Sequence, residues 1–324
     1  MIMLLHKFFT DTFFFFSFSV WPLGMTKIGA MTNDNLHESM RWEPERGTNL
    51  TVLDLTTGKS IIYKCNETFF AFHITNSFIN TQGDIVIDIV TYDDDTLFLQ
   101  MFLNAWRNGS AVDHTNLVGT LKRIVIPYTS SNEQKNMTKV WYSKSFTGAT
   151  PTKNVALPTY LSSELALVTT ITDVLIEGPR INDKYLNNPD LRYVYGWTAT
   201  REKNIPNAIV KVDVSNTDAT INSIIWKNQN VFNVYIGEPV FIAAPDAVAE
   251  DDGVVIAAGV EYTKMNVSAK GSENMKMNGG MDDMFVNSFL LVLNATNLVE
   301  LGRATRENVS LPFAFHTQFY KTSS

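Results

Sequence analysis

The stretch FFAFHITNSFINTQGDIVIDIVTYDDD, residues 69–95, decides the fold of this chain. Apolar runs on either side of the turn sequence Asn-Thr-Gln-Gly at residues 80–83 are typical of two strands joined as a hairpin. His73 lies on the first strand, where strand alternation predicts a core residue. On the second strand, alternation places the isoleucines on one face and Asp88 on the other. The segment is therefore predicted to be a β-hairpin with an inward-facing histidine.

A second histidine has the same local sequence. His316 ends the run LPFAFH and repeats the Phe-Ala-Phe-His pattern that contains His73. Two inward histidines on strands far apart in sequence indicate a metal held where several strands meet. The alternative is that each is a core histidine hydrogen-bonded to a neighbour. The residues alone leave both interpretations open.

The composition is that of a globular protein that does not bind polyanions. Of its 324 residues, 45% are hydrophobic and 18% are charged, which is enough apolar sequence for a large core. Its 26 basic and 33 acidic residues give a net charge of -7, and the longest basic run is Lys122-Arg123, so nucleic acid is not an expected partner. The single cysteine, Cys65, excludes an intramolecular disulfide and is typical of a reducing compartment, so the expected location is the cytoplasm.

The N-terminal residues are apolar enough to resemble a signal peptide or membrane anchor. Lys7 and Asp11 interrupt the apolar run, and residues 12–25 are too few to span a bilayer as a helix. Because phenylalanine-rich sequence is β-prone, we predict strand here. The chain also begins inside apparent strand sequence, which predicts that an N-terminal part of the domain is missing.

Short alternating runs separated by turn residues continue along the rest of the chain. Helical periodicity is confined to residues 27–42 and to short turns in INDKYLNNPD, residues 181–190. Many short strands without alternating helices predict an all-β sandwich, barrel or propeller. In a propeller, ligands from different blades can meet in a central channel, but no clean repeat of about 40 residues marks such blades here.

Four segments carry a resemblance to a known family: RWEPERGT (41–48), YKCNETFFAFHITNSF (63–78), GEPVFIAAPDAVAEDDGVV (237–255), and LLVLNATNLVELGRAT (290–305) followed by LPFAFH. In this order they resemble the C-terminal part of the carotenoid cleavage oxygenases, in particular animal β-carotene dioxygenases and the retinal isomerohydrolase. The resemblance runs from about Asn35 to His316. It implies a seven-bladed β-propeller with a non-haem Fe(II) held on the axis by four histidines. It also implies a single domain over residues 1–324 whose N-terminal blades are missing.

The resemblance assigns metal ligands residue by residue. His73 lies in Phe-His-x-x-Asn, the context of the family's third iron ligand, with Asn76 as the asparagine. His316 matches the fourth ligand. Four neutral imidazoles suit Fe(II) and leave positions open for O2 and substrate. The expected cofactor is therefore Fe(II).

Two glutamates match carboxylates that support the ligands in the family. Glu177, in IEGPRIN, resembles the Glu-x-Pro-x-Ile-Asn site, and Glu238, in Gly-Glu-Pro-Val, resembles the Ser-Glu-Pro site. Such carboxylates accept the other imidazole N–H and fix the tautomer and orientation of the ring. The alternative for each is a solvated glutamate at a strand end.

The sequence departs from the family pattern at several positions. Phe78 is followed by isoleucine rather than glutamate, and Thr317 replaces the glycine that usually follows the fourth histidine. The first ligand has no counterpart. The second is matched only by His6, with a motif one residue short, so His6 is either that ligand or a chance histidine. His37 and His114 have no motif around them and are predicted to lie on solvated turns.

Three hypotheses compete. The first, which the resemblance implies, is an oxidoreductase of β-carotene and retinoid metabolism: an Fe(II)-dependent dioxygenase in which O2 attacks a double bond of a carotenoid or apocarotenoid to give aldehydes. The second is a truncated, weakly active or inactive relative that binds isoprenoids. The third is an unrelated all-β interaction protein. For the first two, apolar substrates and aromatic clusters without a spanning helix predict peripheral contact with a membrane.

Overall fold

A computed structural model describes the chain over residues 3–9, 14–25, 40–54, 58–96, 119–127, 165–200, 206–228, 234–264, 284–309, 311 and 316–320. Within these residues the regular structure consists mainly of strands, with two short 3-10 helices at Pro44–Arg46 and Asp183–Tyr185, which confirms the all-β prediction. None of the described helices has the length and apolarity needed to cross a membrane.

The residues group into two compact units. Unit 1 contains residues 1–99, 122–169 and 187–189, and unit 2 contains residues 100–121, 170–186 and 190–324. The single domain over residues 1–324 stays a prediction.

The strands of unit 1 pair mainly in antiparallel ladders. They are β1 (Met3–Phe9), β2 (Phe14–Val20), β3 (Leu23–Met25), β4 (Met40–Trp42), β5 (Asn49–Asp54), β6 (Lys59–Cys65), β7 (Phe70–Ile79), β8 (Ile85–Tyr92) and most of β9 (Gly119–Ile126). Strands β1, β2, β5 and β6 pair in that order, each antiparallel to the next. Strand β7 pairs with β8, and β8 pairs with β9. Residues 165–166 pair in parallel with β6.

The N-terminal prediction of strand is confirmed, because the phenylalanine-rich run forms β2 between β1 and β5. The helical interpretation of residues 27–42 is wrong at its C-terminal end. Met40–Trp42 is a strand that pairs with Leu23–Met25, since pairing with another segment overrides a weak local periodicity. The remainder of that interpretation, residues 27–39, lies outside the described residues.

The predicted hairpin is confirmed in β7 and β8. At its turn, the Oδ1 atom of Asn80 accepts hydrogen bonds from the backbone N–H groups of Gln82 and Asp84, at 3.0 and 2.8 Å. This is an Asx turn, and Gly83 takes the positive φ of 88° that the reversal requires. The turn is thus built from the side chains that marked it in the sequence.

The simple alternation expected in β8 is wrong. Every residue of Ile85–Tyr92 is buried, including Asp88, which has no exposed surface. A strand covered on both faces loses the polar face that a half-buried strand shows. Unit 1 therefore encloses a carboxylate that the sequence pattern placed on an outer face.

Unit 2 contains two groups of antiparallel strands. Its strands are β10 (Leu165–Arg180, from residue 170 onward), β11 (Tyr193–Thr198), β12 (Ala208–Asp213), β13 (Ser223–Lys227), β14 (Val234–Ile236), β15 (Val240–Ala243), β16 (Gly253–Lys264), β17 (Met284–Asn294) and β18 (Glu300–Arg306). One group runs β10-β11-β12-β13, and the other runs β14-β16-β17-β18 with β15 also paired to β16. Successive four-stranded antiparallel sheets are typical of propeller blades.

Aromatic and aliphatic side chains fill the core of unit 2. The ring of Tyr195 stacks on that of Phe241 at 5.5 Å, and its hydroxyl donates a 3.0 Å hydrogen bond to the Ala295 carbonyl oxygen. Lys211 is buried in the same unit, with its Nζ 2.6 Å from the Asp251 carboxylate and 3.9 Å from the centre of the Tyr193 ring. The buried charge is paired, as burial requires.

Candidate metal centre

His73 lies in an irregular part of β7. Along this strand Ala71 pairs with Thr91, and Asn76 pairs with Asp88. Six residues of β7 therefore lie opposite four of β8, so two extra residues are inserted around His73. Bulges of this kind redirect side chains and are frequent next to active sites. The half-buried position of His73 results from these bulges, so the regular alternation expected at this point is wrong.

The residues before His73 are tightly anchored. The Thr48 hydroxyl donates to the Phe69 carbonyl oxygen and accepts from the Phe69 N–H, both at 2.9 Å. The Phe70 ring packs edge-on against Phe72 at 4.7 Å, and the Phe72 ring lies 6.3 Å from that of His73. The imidazole therefore has an aromatic, apolar neighbourhood on this side.

Asn76 is buried and holds a turn. Its Oδ1 accepts a 2.8 Å hydrogen bond from the Asn187 N–H, and its Nδ2 donates to the Asn188 carbonyl oxygen at 3.2 Å. Asn187 has a positive φ of 61°, so the clamp fixes a turn in the left-handed region. The motif asparagine predicted from the sequence thus has a positioning role within unit 1.

A β-bulge that contains a glycine sets the orientation of Glu177 in unit 2. Glu177 pairs with Trp197 and Arg180 with Tyr195, so four residues of β10 lie opposite three of β11 and one residue is extra. Because residues two apart on β11 share a face, the extra residue brings Glu177 and Arg180 to the same face. Gly178 lies within the bulge with a φ of 56° and donates its N–H to Glu177 Oε1 at 2.8 Å.

Glu238 is a buried carboxylate with three neighbours. Its Oε2 accepts hydrogen bonds from Arg180 Nη2 and from the Thr317 N–H, each at 2.8 Å. Its Oε1 lies 3.5 Å from His316 Nδ1. Glu238 is 3% exposed, whereas the His316 side chain is 67% exposed. The interpretation of Glu238 as a solvated strand-end residue is therefore wrong, and so is that of Glu177, which is 5% exposed.

The geometry around His316 allows a defined tautomer. With its proton on Nδ1, the ring can donate to the Glu238 carboxylate and present the Nε2 lone pair on its exposed side. The tautomer is inferred from this arrangement of partners, as for any histidine. An imidazole held in this way can bind a metal ion through Nε2.

The other predicted ligands belong to a different unit or lie outside the described residues. His73 belongs to unit 1 and His316 to unit 2, so their convergence stays a prediction. His6 lies on β1 opposite Ser17, and its side chain lies outside the description. The turns predicted at His37 and His114 also lie outside the described residues. Within the part of the chain that is described, no three His, Cys, Asp or Glu side chains form a group that could hold a metal.

Sequence reasoning missed two residues of this centre, Arg180 and Gly178. A signal was available, because an isolated glycine inside a strand pattern marks a bulge. Once the bulge is assumed, residues 177 and 180 fall on one face. The contact of Arg180 with Glu238 could not be found in this way, since it spans 58 residues of sequence.

Comparison with known proteins agrees with the fold and the motifs. The sequence profile of the retinal pigment epithelial membrane protein family matches residues 3–321. The chain belongs to this family. The match confirms the resemblance to carotenoid cleavage oxygenases, and the hypothesis of an unrelated all-β interaction protein is wrong.

Curated relatives match along most of this chain but only part of their own. The mitochondrial carotenoid-cleaving dioxygenase of Mustela putorius furo is 28% identical over 93% of this chain and 50% of the relative. The carotenoid isomerooxygenase of Galleria mellonella is 27% identical, and the match covers 85% of this chain and 43% of the relative. The human β,β-carotene 15,15'-dioxygenase is 28% identical over 81% and 41%. The chain spans about half the length of the curated relatives it matches.

Solved structures share the fold at low identity. A mutant of the Synechocystis apocarotenoid oxygenase has a TM-score of 0.65 and 16% identity, and the match covers 99% of this chain and 53% of that protein. The cobalt-substituted form of the same oxygenase gives the same TM-score, identity and coverage. These are β-propellers, so the predicted fold class is confirmed.

Proposed function

We propose that the protein is an Fe(II)-dependent dioxygenase that cleaves a double bond of a carotenoid or apocarotenoid to give aldehydes or retinoids. Its membership of the family and the names of its relatives support this activity. The proposed metal ligands are His73 and His316, with His6 as a third candidate. Glu177 and Glu238 are proposed to orient histidine ligands.

One observation carries the proposal, the 3.5 Å approach of His316 Nδ1 to the buried Glu238 carboxylate. When a carboxylate accepts a hydrogen bond from one imidazole nitrogen, the other nitrogen can bind the metal. This is the usual arrangement at protein metal sites. The residues present therefore fit this part of an iron site. Iron, when bound, would supply activation of O2.

The side chains of this chain would orient ligands and exclude water. With the proton on Nδ1, His316 would donate a hydrogen bond to Glu238, and Arg180 balances the charge that the carboxylate brings into a buried site. The bulges in β7 turn His73, and Phe70 and Phe72 provide the apolar surface beside it. Apolar surroundings of this kind suit a polyene and limit side reactions with water.

A second candidate function is binding of an apolar isoprenoid without turnover. It is favoured by the motif match, because only His73 and His316 fall in intact ligand motifs and His6 falls in a motif that is one residue short. A site with fewer histidines holds iron weakly, and weak binding lowers activity even if the apolar surface is intact.

Iron content distinguishes the two functions. The full chain is purified, reconstituted with Fe(II) without oxygen, desalted, analysed for iron, and assayed with β-carotene and an apocarotenal for aldehyde products. Under the dioxygenase proposal, iron is retained, and His316→Ala and His73→Ala each lose it. His6→Ala tests whether His6 is a ligand.

The matched controls are His37→Ala and His114→Ala, which remove histidines without a motif and are expected to leave iron content unchanged. Equal iron in all five variants would rule out the proposed ligands. Absence of iron and aldehyde in the unaltered chain, together with binding of the polyene, would favour the second function.

We also propose that the protein contacts membranes peripherally. Ile221, Ile224 and Leu175 of unit 2 are exposed, and such side chains can insert at a lipid surface. Cosedimentation with phosphatidylcholine vesicles, reversed by carbonate, is the expected result. Retention by the vesicles until detergent is added would contradict peripheral attachment.

A further inference from the structure

The described residues around His316 have no regular secondary structure. Strand β18 ends at Arg306, and the described residues 316–320 belong to neither a strand nor a helix. Residues in such a segment lack the ladder of backbone hydrogen bonds that orders a strand. The position of His316 must therefore be fixed by bonds from other parts of unit 2.

Ser288, on β17, provides an anchor upstream. Its hydroxyl donates to the Val309 carbonyl oxygen at 2.6 Å and accepts from the Leu311 N–H at 2.8 Å. Ser288 is buried, and both of its partners are backbone groups. This anchor fixes the chain soon after β18 but does not reach His316.

A second anchor holds residue 317. The Thr317 N–H donates to Glu238 Oε2 at 2.8 Å, and the Thr317 carbonyl oxygen accepts from Arg180 Nη2. The same Nη2 atom donates to Glu238 Oε2 at 2.8 Å. Both backbone polar groups of one residue are therefore held by one ion pair, in which Glu238 is buried and Arg180 is partly exposed. We call these three groups, Arg180, Glu238 and the Thr317 backbone, the tail clamp.

We propose that Arg180 is a positioning residue which, through the tail clamp, holds the His316 imidazole against Glu238. Without Arg180, Glu238 keeps its bond to the Thr317 N–H but loses the cation that balances its charge, and the Thr317 carbonyl loses its donor. Because His316 directly precedes the clamped residue, its ring would then sample more orientations. The part played by the tail clamp in metal binding rests on the proposed function, whereas the clamp itself does not.

The tail clamp also explains a departure from the family pattern. Threonine replaces the usual glycine at position 317, yet both contacts use backbone atoms only. The side chain at this position is therefore free to vary so long as the backbone conformation is allowed. The ion pair rather than the residue at 317 sets the position of the segment.

Arg180→Met tests the proposal directly. Loss of the hydrogen bond from the charged guanidinium to the Thr317 carbonyl should let the segment open more often, and this should raise the exchange rate of the Thr317 amide hydrogen by roughly tenfold to a hundredfold. Amides of β16 and β17 should exchange as before. The control is Arg192→Met, which removes an ion pair of the same 2.8 Å length, to Asp213, that does not touch residue 317. Unchanged exchange at Thr317 in Arg180→Met would overturn the proposal.

The conservative variant separates positioning from general stability. Arg180 makes both contacts with one nitrogen, so the lysine ammonium of Arg180→Lys has donors for both and should restore most of the protection. If Arg180→Met does not fold, Arg180→Met combined with Glu238→Gln removes the unpaired buried charge and still lacks the donor to the Thr317 carbonyl. If the Thr317 amide exchanged as fast in Arg180→Lys as in Arg180→Met, the proposal that one nitrogen makes both contacts would be overturned.

Cobalt(II), titrated into the metal-free protein and followed by its visible absorption, provides a spectroscopic readout. Arg180→Met should weaken Co(II) binding by about tenfold to a hundredfold, as loss of ligand support usually does, and Arg180→Lys should recover it. If the unaltered chain binds no Co(II) while Thr317 exchange still rises in Arg180→Met, the tail clamp stands and the proposed metal function fails. Full Co(II) affinity in Arg180→Met would overturn the link between the clamp and His316.

Discussion

Arg123 lies along the buried carboxylate of Asp88, with its Nε 2.7 Å from Oδ1 and its Nη2 2.8 Å from Oδ2. The two parallel bonds form a bidentate pair, the strongest arrangement available to these side chains. Asp88 belongs to the β-hairpin that carries His73, so this pair fixes the strand behind the candidate ligand.

Arg123→Met should destabilise the protein by about 3–5 kcal/mol, because it leaves the Asp88 carboxylate buried without its cation. Urea denaturation measures the loss. The control is Arg46→Met, which removes a 2.6 Å pair with Glu43 at an exposed site and should change the free energy of unfolding by less than about 1 kcal/mol. Similar losses for both variants would contradict a special role for the buried pair.

Cys65 should make stability fall at alkaline pH. Burial, and to a lesser degree the Glu67 carboxylate, raises the pKa of its thiol from 9.0 to about 12. The folded state therefore keeps a proton that the unfolded state loses. Its stabilising contribution is complete below pH 9 and is lost as pH rises toward 12, at up to about 1.4 kcal/mol per pH unit.

The measurement is the free energy of unfolding between pH 8 and the highest pH at which refolding is reversible, for the unaltered chain and for Cys65→Ala. The decrease of the free energy of unfolding with pH should be less steep in Cys65→Ala, because this variant lacks the buried thiol. Tyrosines contribute equally to both proteins and do not affect the comparison. Thiol reagents at pH 8 should label Cys65 slowly until urea is added. Equal slopes, or rapid labelling of the folded protein, would contradict this pKa.

Gly178→Ala should destabilise the protein by more than the cost of the positive φ at this position. A Cβ atom at this position would lie 2.7 Å from Trp197 Nε1 and 3.2 Å from Glu238 Cγ. The positive φ costs about 1–2 kcal/mol, and the collision adds about 1–3 kcal/mol. Gly58→Ala is the matched control, since its φ is 68° but no atom lies within 4 Å of the added Cβ. Equal changes in the urea midpoint for the two variants would show that the collision is relieved.

Asn76→Ala should cost about 1–3 kcal/mol for each backbone group that it leaves unpaired, the Asn187 N–H and the Asn188 carbonyl. Amide exchange at Asn187 should accelerate. The neighbouring Ser77→Ala removes only a 3.4 Å bond to the Asn187 side chain and should have a smaller effect. A greater loss in Ser77→Ala than in Asn76→Ala would contradict the clamp assigned to Asn76.

The sequence predicted those parts of the fold that depend on residues close together in the chain. The Asn80 turn, the flanking strands of the hairpin and the 3-10 turn at Asp183–Tyr185 depend on residues a few positions apart. The burial of Asp88 could not be predicted from the sequence, because β8 is covered on both faces. The counter-ion of Asp88, Arg123, lies 35 residues away in the chain. Alternation describes one exposed face and carries no information about a second covering layer.

The sequence by itself determined the strand content, the family motifs and the residue types of the candidate centre, His73, His316, Glu177 and Glu238. Only the tertiary structure placed the Glu238 carboxylate between Arg180 and the backbone of residue 317. These contacts span 58 and 79 residues of sequence, and the glycine bulge at 178 sets the face on which Arg180 lies. Contacts at such separations depend on which strands pair and in which register, because a one-residue shift moves a side chain to the opposite face of a sheet.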